Sequence, residues 1–348
     1  MNYNQNKRLN QLDENILIIG VDVAKKFHVA RAQDFRGVEF NKGIKFDNSR
    51  QGFAEFEEWK NSLQFDNRKT KVLVGMEPTG PYWLPFARWL QAEGYWTVTV
   101  NPAHVKKSKE LDDNNQAKTD YRDARVIAQL LKDARFSEPN LLEGVYEEMR
   151  NAKNIRKVMV NDLKRIKNQM TNWLDRYFPE YKRGYTNWEA ESFLYILEKY
   201  KLPSRIAGLD AIKVYSDVRG KFPRGVGQKK IENLIRASKE SIGITEGHRM
   251  AEKELDYLLK RYKELVSDID DIESTIESLC EELPEVQKIT QIKGIGITTA
   301  SGVVAELGNI KEYKTPKQMV KMAGLSLTEN SSGQKKGKMT ISKRGRKD

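Results

Sequence analysis

Short apolar runs separated by polar turns and amphipathic stretches make up the first 145 residues. Three apolar runs of strand length follow one another closely at 16–22, 27–34 and 37–46, which predicts a meander of three strands. Two more strands are predicted at 71–77 and 95–101. Apolar positions at helical spacing predict helices at 49–63, 82–94 and from Asp120 onward. The predicted order of elements is therefore β-β-β-α-β-α-β-α.

That order is the order of the ribonuclease H-like fold, so we predict an α/β domain over residues 15–145. A polar N-terminal segment, residues 1–14, precedes it, and a polar stretch at 104–118 leads into its last helix. The first and fourth strands of such a sheet lie side by side.

The strand signal disappears after residue 145, and an α-helical region is predicted over 146–283. Within it, residues 182–248 contain several Gly and Pro breakers and read as an insertion. Apolar residues then recur without a miss at spacings of three and four from Leu255 to Leu283. This pattern predicts a coiled coil, which we expect to join protomers into a homodimer or tetramer. The alternative is one helix of an intramolecular bundle.

Residues 284–348 are predicted to form a small C-terminal domain. Gly294 and Gly296 precede a predicted helix, as in helix-hairpin-helix turns whose amides hold a DNA phosphate, although an ordinary tight turn between packed helices fits equally well. From Gln334 onward the chain has seven Lys or Arg residues and one acid. Such a tail can also be a disordered segment that binds any nucleic acid weakly.

Composition narrows the class of partner. The net charge is +12 and the pI is about 9.4, a balance typical of proteins that bind nucleic acid. A single cysteine excludes an internal disulfide framework, and three scattered histidines disfavour a zinc site. No apolar run has the length of a membrane span. These features predict a cytoplasmic protein with no membrane contact.

Asp120 and Asp123 are three residues apart at the head of a helix, where acids can serve as caps or share one face as metal ligands. Two further acids end predicted strands, Asp22 after the first and Glu77 after the fourth. An acid that ends a buried strand has no simple structural role. Four converging carboxylates repel one another unless they hold hard cations. We therefore predict a site for Mg²⁺ or Mn²⁺ at Asp22, Glu77, Asp120 and Asp123.

The motifs GVDVAKK, MEPTGPYW, VNPAHVK and KTDYRDARVIA, in that order, resemble those of DEDD-type insertion-sequence transposases. That family includes Piv-type invertases and bridge-RNA-guided recombinases. IKGIGITTA, MAGLSLTENSSGQKKGK and ISKRGRK resemble its C-terminal transposase domain. The resemblance implies a RuvC-like first domain with these four acids as its catalytic tetrad. It also implies a prokaryotic protein that is associated with the nucleoid when bound to DNA.

The resemblance further implies that a serine before a glycine attacks DNA and forms a phosphoserine link. That serine is Ser332, with Ser331 adjacent as the other choice. The expected partners are donor and target DNA and a structured guide RNA. Expected nucleic-acid contacts are Lys118, Gly294, Gly296, Gly333, Lys335, Lys336, Lys338, Lys343 and Arg344.

Two other functions stay open at this point: a RuvC-like nuclease that uses metal-activated water without a covalent intermediate, and a nucleic-acid-binding protein with a retired site. The intact set of acids argues against the second, and the C-terminal segment argues against the first. Family members commonly continue through a further helix, so the resemblance leaves two alternatives for the C-terminal domain: it ends at Asp348, or it is truncated there.

Overall fold

The computed structural model describes residues 3–112, 120–184, 188–328 and 337–342. The chain divides into two compact units, Met1–Leu141 and Leu142–Asp348.

The first unit is built on a six-stranded sheet of order β3-β2-β1-β4-β5-β6. β1 is antiparallel to β2 and parallel to β4, β2 is antiparallel to β3, and β4 is parallel to β5. The strands are β1 Ile16–Val23, β2 Phe27–Gln33, β3 Glu39–Asp47, β4 Lys71–Met76, β5 Trp96–Val100 and β6 Phe136–Ser137. The helices are α1 Tyr3–Leu9, α2 Arg50–Asp66, α3 Trp83–Ala92, α4 Pro102–Asp112 and α5 Asp120–Lys132. The predicted element order and the predicted adjacency of the first and fourth strands are both confirmed.

Helices cover both faces of this sheet, which explains why the central strand reads as a continuous apolar run. One face of β1, including Leu17 and Ile19, packs with Phe56 of α2 and Phe86 of α3. The other face, including Ile18, packs with Val126, Ile127 and Leu130 of α5.

Three elements of this unit were not predicted from the sequence. The segment expected to be a polar leader contains α1, and Leu12 just after it is buried in the core. The polar stretch before α5 contains α4, whose Val105 is also buried. Both helices carry few apolar residues, so their hydrophobic periodicity is weak. The third element, β6, is only two residues long.

In the second unit two long helices, α6 Val145–Tyr177 and α12 His248–Glu281, pack on each other in opposite directions. Trp173 near the end of α6 donates from its indole nitrogen to the carbonyl of Ala251 near the start of α12, at 2.9 Å. At the other end, Arg156 Nε lies 2.7 Å from Glu273 Oε1. The apolar series expected to meet a second protomer is thus buried against α6 of the same chain, as the bundle alternative requires. Oligomerisation stays a prediction.

The segment between these helices, where the sequence pattern was least legible, forms helices that share one hydrophobic core with α6 and α12, including Trp173 and Leu255. Val218, Ile231 and Leu234 are buried there with Phe193 and Leu197. The helices are α7 Pro179–Gly184, α8 Glu191–Tyr200, α9 Pro203–Ile206, α10 Ala211–Lys221 and α11 Gln228–Lys239.

The rest of the second unit is a series of short elements after α12. They are α13 Pro284–Thr290, α14 Ile297–Leu307, a 3₁₀ turn Ile310–Glu312, α15 Pro316–Met322, β7 Leu327–Thr328 and β8 Thr340–Ile341. The subdivision of this unit into a helical region and a transposase domain stays a prediction. No helix in the described part of the chain is long and apolar enough to cross a membrane.

Candidate active site

Two of the predicted acids are neighbours in the sheet. Val21 of β1 is paired with Met76 of β4 in the parallel ladder, and Asp22 and Glu77 are the next residues along each strand. Residues at equivalent positions of neighbouring strands lie about 4.8 Å apart and on the same face. The strand register therefore places Asp22 and Glu77 side by side at the carboxyl ends of two parallel strands.

Two glycines bring α5 against this part of the sheet. Gly20 is paired with Gly75, each two residues before an acid and therefore on the same face as that acid. A Cβ atom on Gly20 would lie 2.2 Å from the carbonyl oxygen of Ala124 and 2.3 Å from the amide nitrogen of Ala128. The backbone of α5 thus lies directly on β1, and its first turn with Asp120 and Asp123 comes beside Asp22.

The other three carboxylates act electrostatically on Asp22. Its pKa is raised from 3.8 to about 6, first by burial and then by the negative charges of Asp123 and Asp120, with a smaller contribution from Glu77. The positive charge of Lys109 opposes this rise. Burial and the neighbouring carboxylates therefore both disfavour the charged form of Asp22.

Asp123 has a partner that the sequence did not reveal. Its carboxylate is almost fully buried, with 8% of the side chain exposed, and its Oδ2 lies 2.6 Å from Lys109 Nζ. Lys109 belongs to α4, and its own carbonyl accepts a hydrogen bond from Arg122 at 3.1 Å. The only signal for this residue was its spacing of four from the apolar Val105, which places both on one face of a helix.

The turn after β4 holds Glu77. Thr79 donates its hydroxyl to Glu77 Oε1 at 2.9 Å and its amide to the Glu77 carbonyl at 2.8 Å. Asp120 is exposed at the start of α5. The four acids therefore differ in solvent exposure: Asp123 is nearly buried, and Asp120 is exposed to solvent.

The donor set fits a hard divalent cation, because all four candidate ligands are carboxylates, whose oxygens such ions prefer. Among the described residues, however, no group of three or more His, Cys, Asp or Glu side chains is arranged to hold an ion. The Lys109 ammonium is the group that contacts Asp123 instead. The residues for a metal site are gathered, but they are not in a coordinating arrangement.

Three of the remaining predicted nucleic-acid-binding residues lie within the described part of the chain. Gly294, at a φ of +93°, and Gly296 form the turn between α13 and α14. That geometry leaves open whether the turn holds a phosphate or only joins two packed helices. Lys338 is exposed. The other candidates lie outside the described residues: Lys118, Ser331, Ser332, Gly333, Lys335, Lys336, Lys343 and Arg344.

Comparison with known proteins identifies the family. The family model DEDD_Tnp_IS110, described as a transposase, matches residues 19–179, and the model Transposase IS116/IS110/IS902 family matches residues 286–348. The first match contains all four acids and the second contains the C-terminal serines.

Curated relatives agree with this assignment. A protein of insertion element IS110 from Streptomyces coelicolor is 23% identical over 63% of this chain and 54% of its own length. The transposase for insertion sequence element IS1111A from Coxiella burnetii is 24% identical over 95% of this chain and 74% of its own length. A protein of insertion element IS116 from Streptomyces clavuligerus is 22% identical over 92% and 78%. This chain belongs to the IS110 family of DEDD-type insertion-sequence transposases.

Proposed function

We propose that this protein is a DNA recombinase that moves an insertion sequence by cutting and rejoining DNA strands. The observation that carries the proposal is the meeting of Asp22, Glu77 and the first turn of α5 at one edge of the sheet. A site of clustered carboxylates in a chain of the IS110 family fits phosphoryl transfer better than any other chemistry. The strongly basic net charge suits a DNA substrate.

Asp22, Glu77, Asp120 and Asp123 would hold Mg²⁺ or Mn²⁺ in this proposal. The bound ion would offset the charge of a phosphodiester and make a hydroxyl more acidic. The protein's own contribution is to hold the four carboxylates together, on two strand ends and one helix turn, so that their positions are set before substrate arrives.

Ser332 is the proposed nucleophile, on the strength of the family resemblance and of the glycine that follows it. Its hydroxyl oxygen would form a bond to a DNA phosphorus while the bond from that phosphorus to one deoxyribose oxygen breaks. The serine proton is transferred to the departing deoxyribose oxygen, which becomes a hydroxyl. The phosphodiester becomes a phosphoserine ester, and attack by another DNA hydroxyl reverses the exchange on a new strand.

Donor and target DNA and a structured RNA encoded by the element are the proposed partners. The net charge of +12 supports binding to polyanions, with an affinity that falls steeply as salt rises. Sequencing of the nucleic acid that copurifies with the protein tests the RNA. Recombination by RNA-free protein would instead favour a protein-guided, invertase-like activity.

The nucleophile is tested by covalent capture on a DNA substrate in Mg²⁺. Wild type is expected to give a DNA–protein adduct that survives denaturation, and Ser332→Ala is expected to give none. Loss in Ser331→Ala but not in Ser332→Ala would move the role by one residue. Cleavage without an adduct would favour hydrolysis by water, which is the nuclease alternative.

The carboxylates are tested separately with Asp120→Ala, which is expected to abolish both cleavage and adduct formation while the protein stays folded. Full activity of this variant, or of wild type in excess chelator, would contradict the proposed metal site. Asp133→Ala, directly after the C-terminal end of the same helix, is the matched control and should remain active.

A further inference from the structure

The ion pair between Lys109 and Asp123 balances the charge of a nearly buried carboxylate. The Asp123 side chain is only 8% exposed, so its charge is poorly hydrated. An ionised carboxylate at that depth is stable only with a close opposite charge. Lys109 supplies that charge at 2.6 Å.

This ammonium is built into the site by α4. Val105, one helical turn earlier, is buried in the core with Val98 and Val100 of β5. The same face of α4 therefore points Lys109 at α5. Arg122, the neighbour of Asp123, donates to the Lys109 carbonyl and connects the two helices on the other side of the pair.

Lys109 contacts Oδ2 of Asp123, one of the two carboxylate oxygens that this residue could offer to a divalent ion. We propose that Lys109 is the internal cation of the metal-free site, and that metal binding must displace its ammonium from Asp123. This inference rests on the proposed function, because it assumes that Asp123 is a metal ligand. It accounts for four gathered carboxylates that are not arranged around an ion.

Lysine suits such an exchange. Its side chain is a single charge on a flexible four-carbon stem, and it pairs with one oxygen rather than with a planar two-point contact. The Lys109 side chain is 30% exposed, so the ammonium has a path to water when it leaves Asp123. Arginine at this position would pair with both carboxylate oxygens and would be harder to displace.

The alternative is a permanent ion pair that only joins α4 to α5. In that case the pair and the metal do not compete for Asp123, and Lys109→Arg, which keeps both the pair and the charge, leaves metal affinity unchanged. Competition predicts that Lys109→Arg weakens metal binding, and that removal of the internal cation raises the affinity for metal and lowers the stability of the metal-free protein.

The test compares full-length wild type, Lys109→Met and Lys106→Met by thermal unfolding and by direct Mn²⁺ titration, with no DNA present. Lys106 is an exposed residue of the same helix and is the matched control. In chelator, Lys109→Met is expected to unfold at a lower temperature than the other two proteins. It is expected to bind Mn²⁺ about fivefold more tightly, and its unfolding temperature should rise more on Mn²⁺ addition.

Lys109→Arg keeps the charge and tests the proposal if Lys109→Met does not fold. It is expected to match wild type in chelator and to bind Mn²⁺ more weakly. Equal or weaker Mn²⁺ binding by Lys109→Met, or equal or tighter binding by Lys109→Arg, would overturn the displacement. Failure of wild type itself to bind Mn²⁺ would instead overturn the proposed metal site, and this inference with it.

Discussion

Two glycines decide how closely helix and sheet approach at the acidic site. Gly20 lies under the backbone of α5, and Gly75 lies under Leu131, whose Cδ2 would be 2.4 Å from an added Cβ. Glycine inside a strand weakens the strand, so its presence at two paired positions indicates a close backbone approach. The spacing G-x-D in β1 and G-x-E in β4 puts each glycine on the face of its acid.

A methyl group at Gly20 would meet backbone rather than a movable side chain. Gly20→Ala is therefore expected to push α5 away from the sheet and lower the free energy of unfolding by about 1–3 kcal/mol. Cleavage activity should fall further than stability explains, because Asp120 and Asp123 move with the helix. Chemical denaturation measures the first effect. Gly208→Ala, where no atom lies within 4 Å of the added Cβ, should change stability by less than about 0.5 kcal/mol.

The raised pKa of Asp22 predicts a pH dependence for the metal-free protein. Between pH 3.8 and about 6 the folded chain keeps a proton that the unfolded chain loses. The free energy of unfolding therefore falls as pH rises through this window and stays low above it. Asp22→Asn is expected to be more stable than wild type at pH 7 by about 1–2 kcal/mol, a figure reduced for partial exposure, and equal to it near pH 4. Denaturation in chelator, with exposed Glu138→Gln as control, checks this; equal stability at both pH values would contradict it.

Individual site residues could be predicted from the sequence where a local pattern, such as an acid at the end of a strand, identified them. Asp22 and Glu77 could be paired because acids at the ends of parallel strands meet at one edge of a sheet. Lys109 could not be found, because its partner is fourteen residues away across a segment with no apolar periodicity. Ion pairs between helices depend on how the helices pack, and periodicity does not encode that packing angle.

At the scale of elements, the apolar series of α12 shows what a heptad pattern can and cannot tell. The pattern located the helix and its buried face, since Leu255, Leu258, Leu265 and Ile276 are all buried. It did not identify the partner, because an antiparallel helix of the same chain and a second protomer bury the same positions. The helices between α6 and α12 share one core with both of them, and they connect the end of α6 to the start of α12 so that the two long helices run antiparallel.

The packing of α12 against α6 within one chain predicts the effect of substitutions on the buried face of α12. Ile269→Ala and Ile276→Ala are each expected to lower the free energy of unfolding by about 2–5 kcal/mol, because both side chains are buried within one chain. Val158→Ala on α6, 61% exposed, should cost less than about 0.5 kcal/mol. Chemical denaturation measures these changes, and repeating it at several protein concentrations separates contacts within one chain, whose contribution does not depend on concentration, from contacts between copies. A midpoint that rises with concentration would mean that a second protomer contributes to stability.

At the scale of the whole molecule, the proposed chemistry is divided between two compact units. The acids belong to Met1–Leu141, and the proposed serine belongs to Leu142–Asp348, far along the chain. A carboxylate site on one unit can serve a nucleophile from its own chain or from another copy. Recombination of two duplexes needs more than one such centre, so an assembly of copies suits the reaction.

A mixture of two inactive variants distinguishes these arrangements. The Ser332→Ala protein keeps all four carboxylates, and the Asp120→Ala protein keeps the serine. If each active site takes its carboxylates from one chain and its serine from another, some sites in the mixture contain an intact set of carboxylates and an intact serine. The expected result is that the mixture recovers up to about a quarter of wild-type adduct formation, the share of centres with both intact groups when two copies associate at random. Each variant alone should give none. Mixing Asp120→Ala with Asp22→Asn is the control, because both lack a carboxylate and no combination restores the site. If the mixture forms no adduct, each chain supplies both the carboxylates and the serine of its own site.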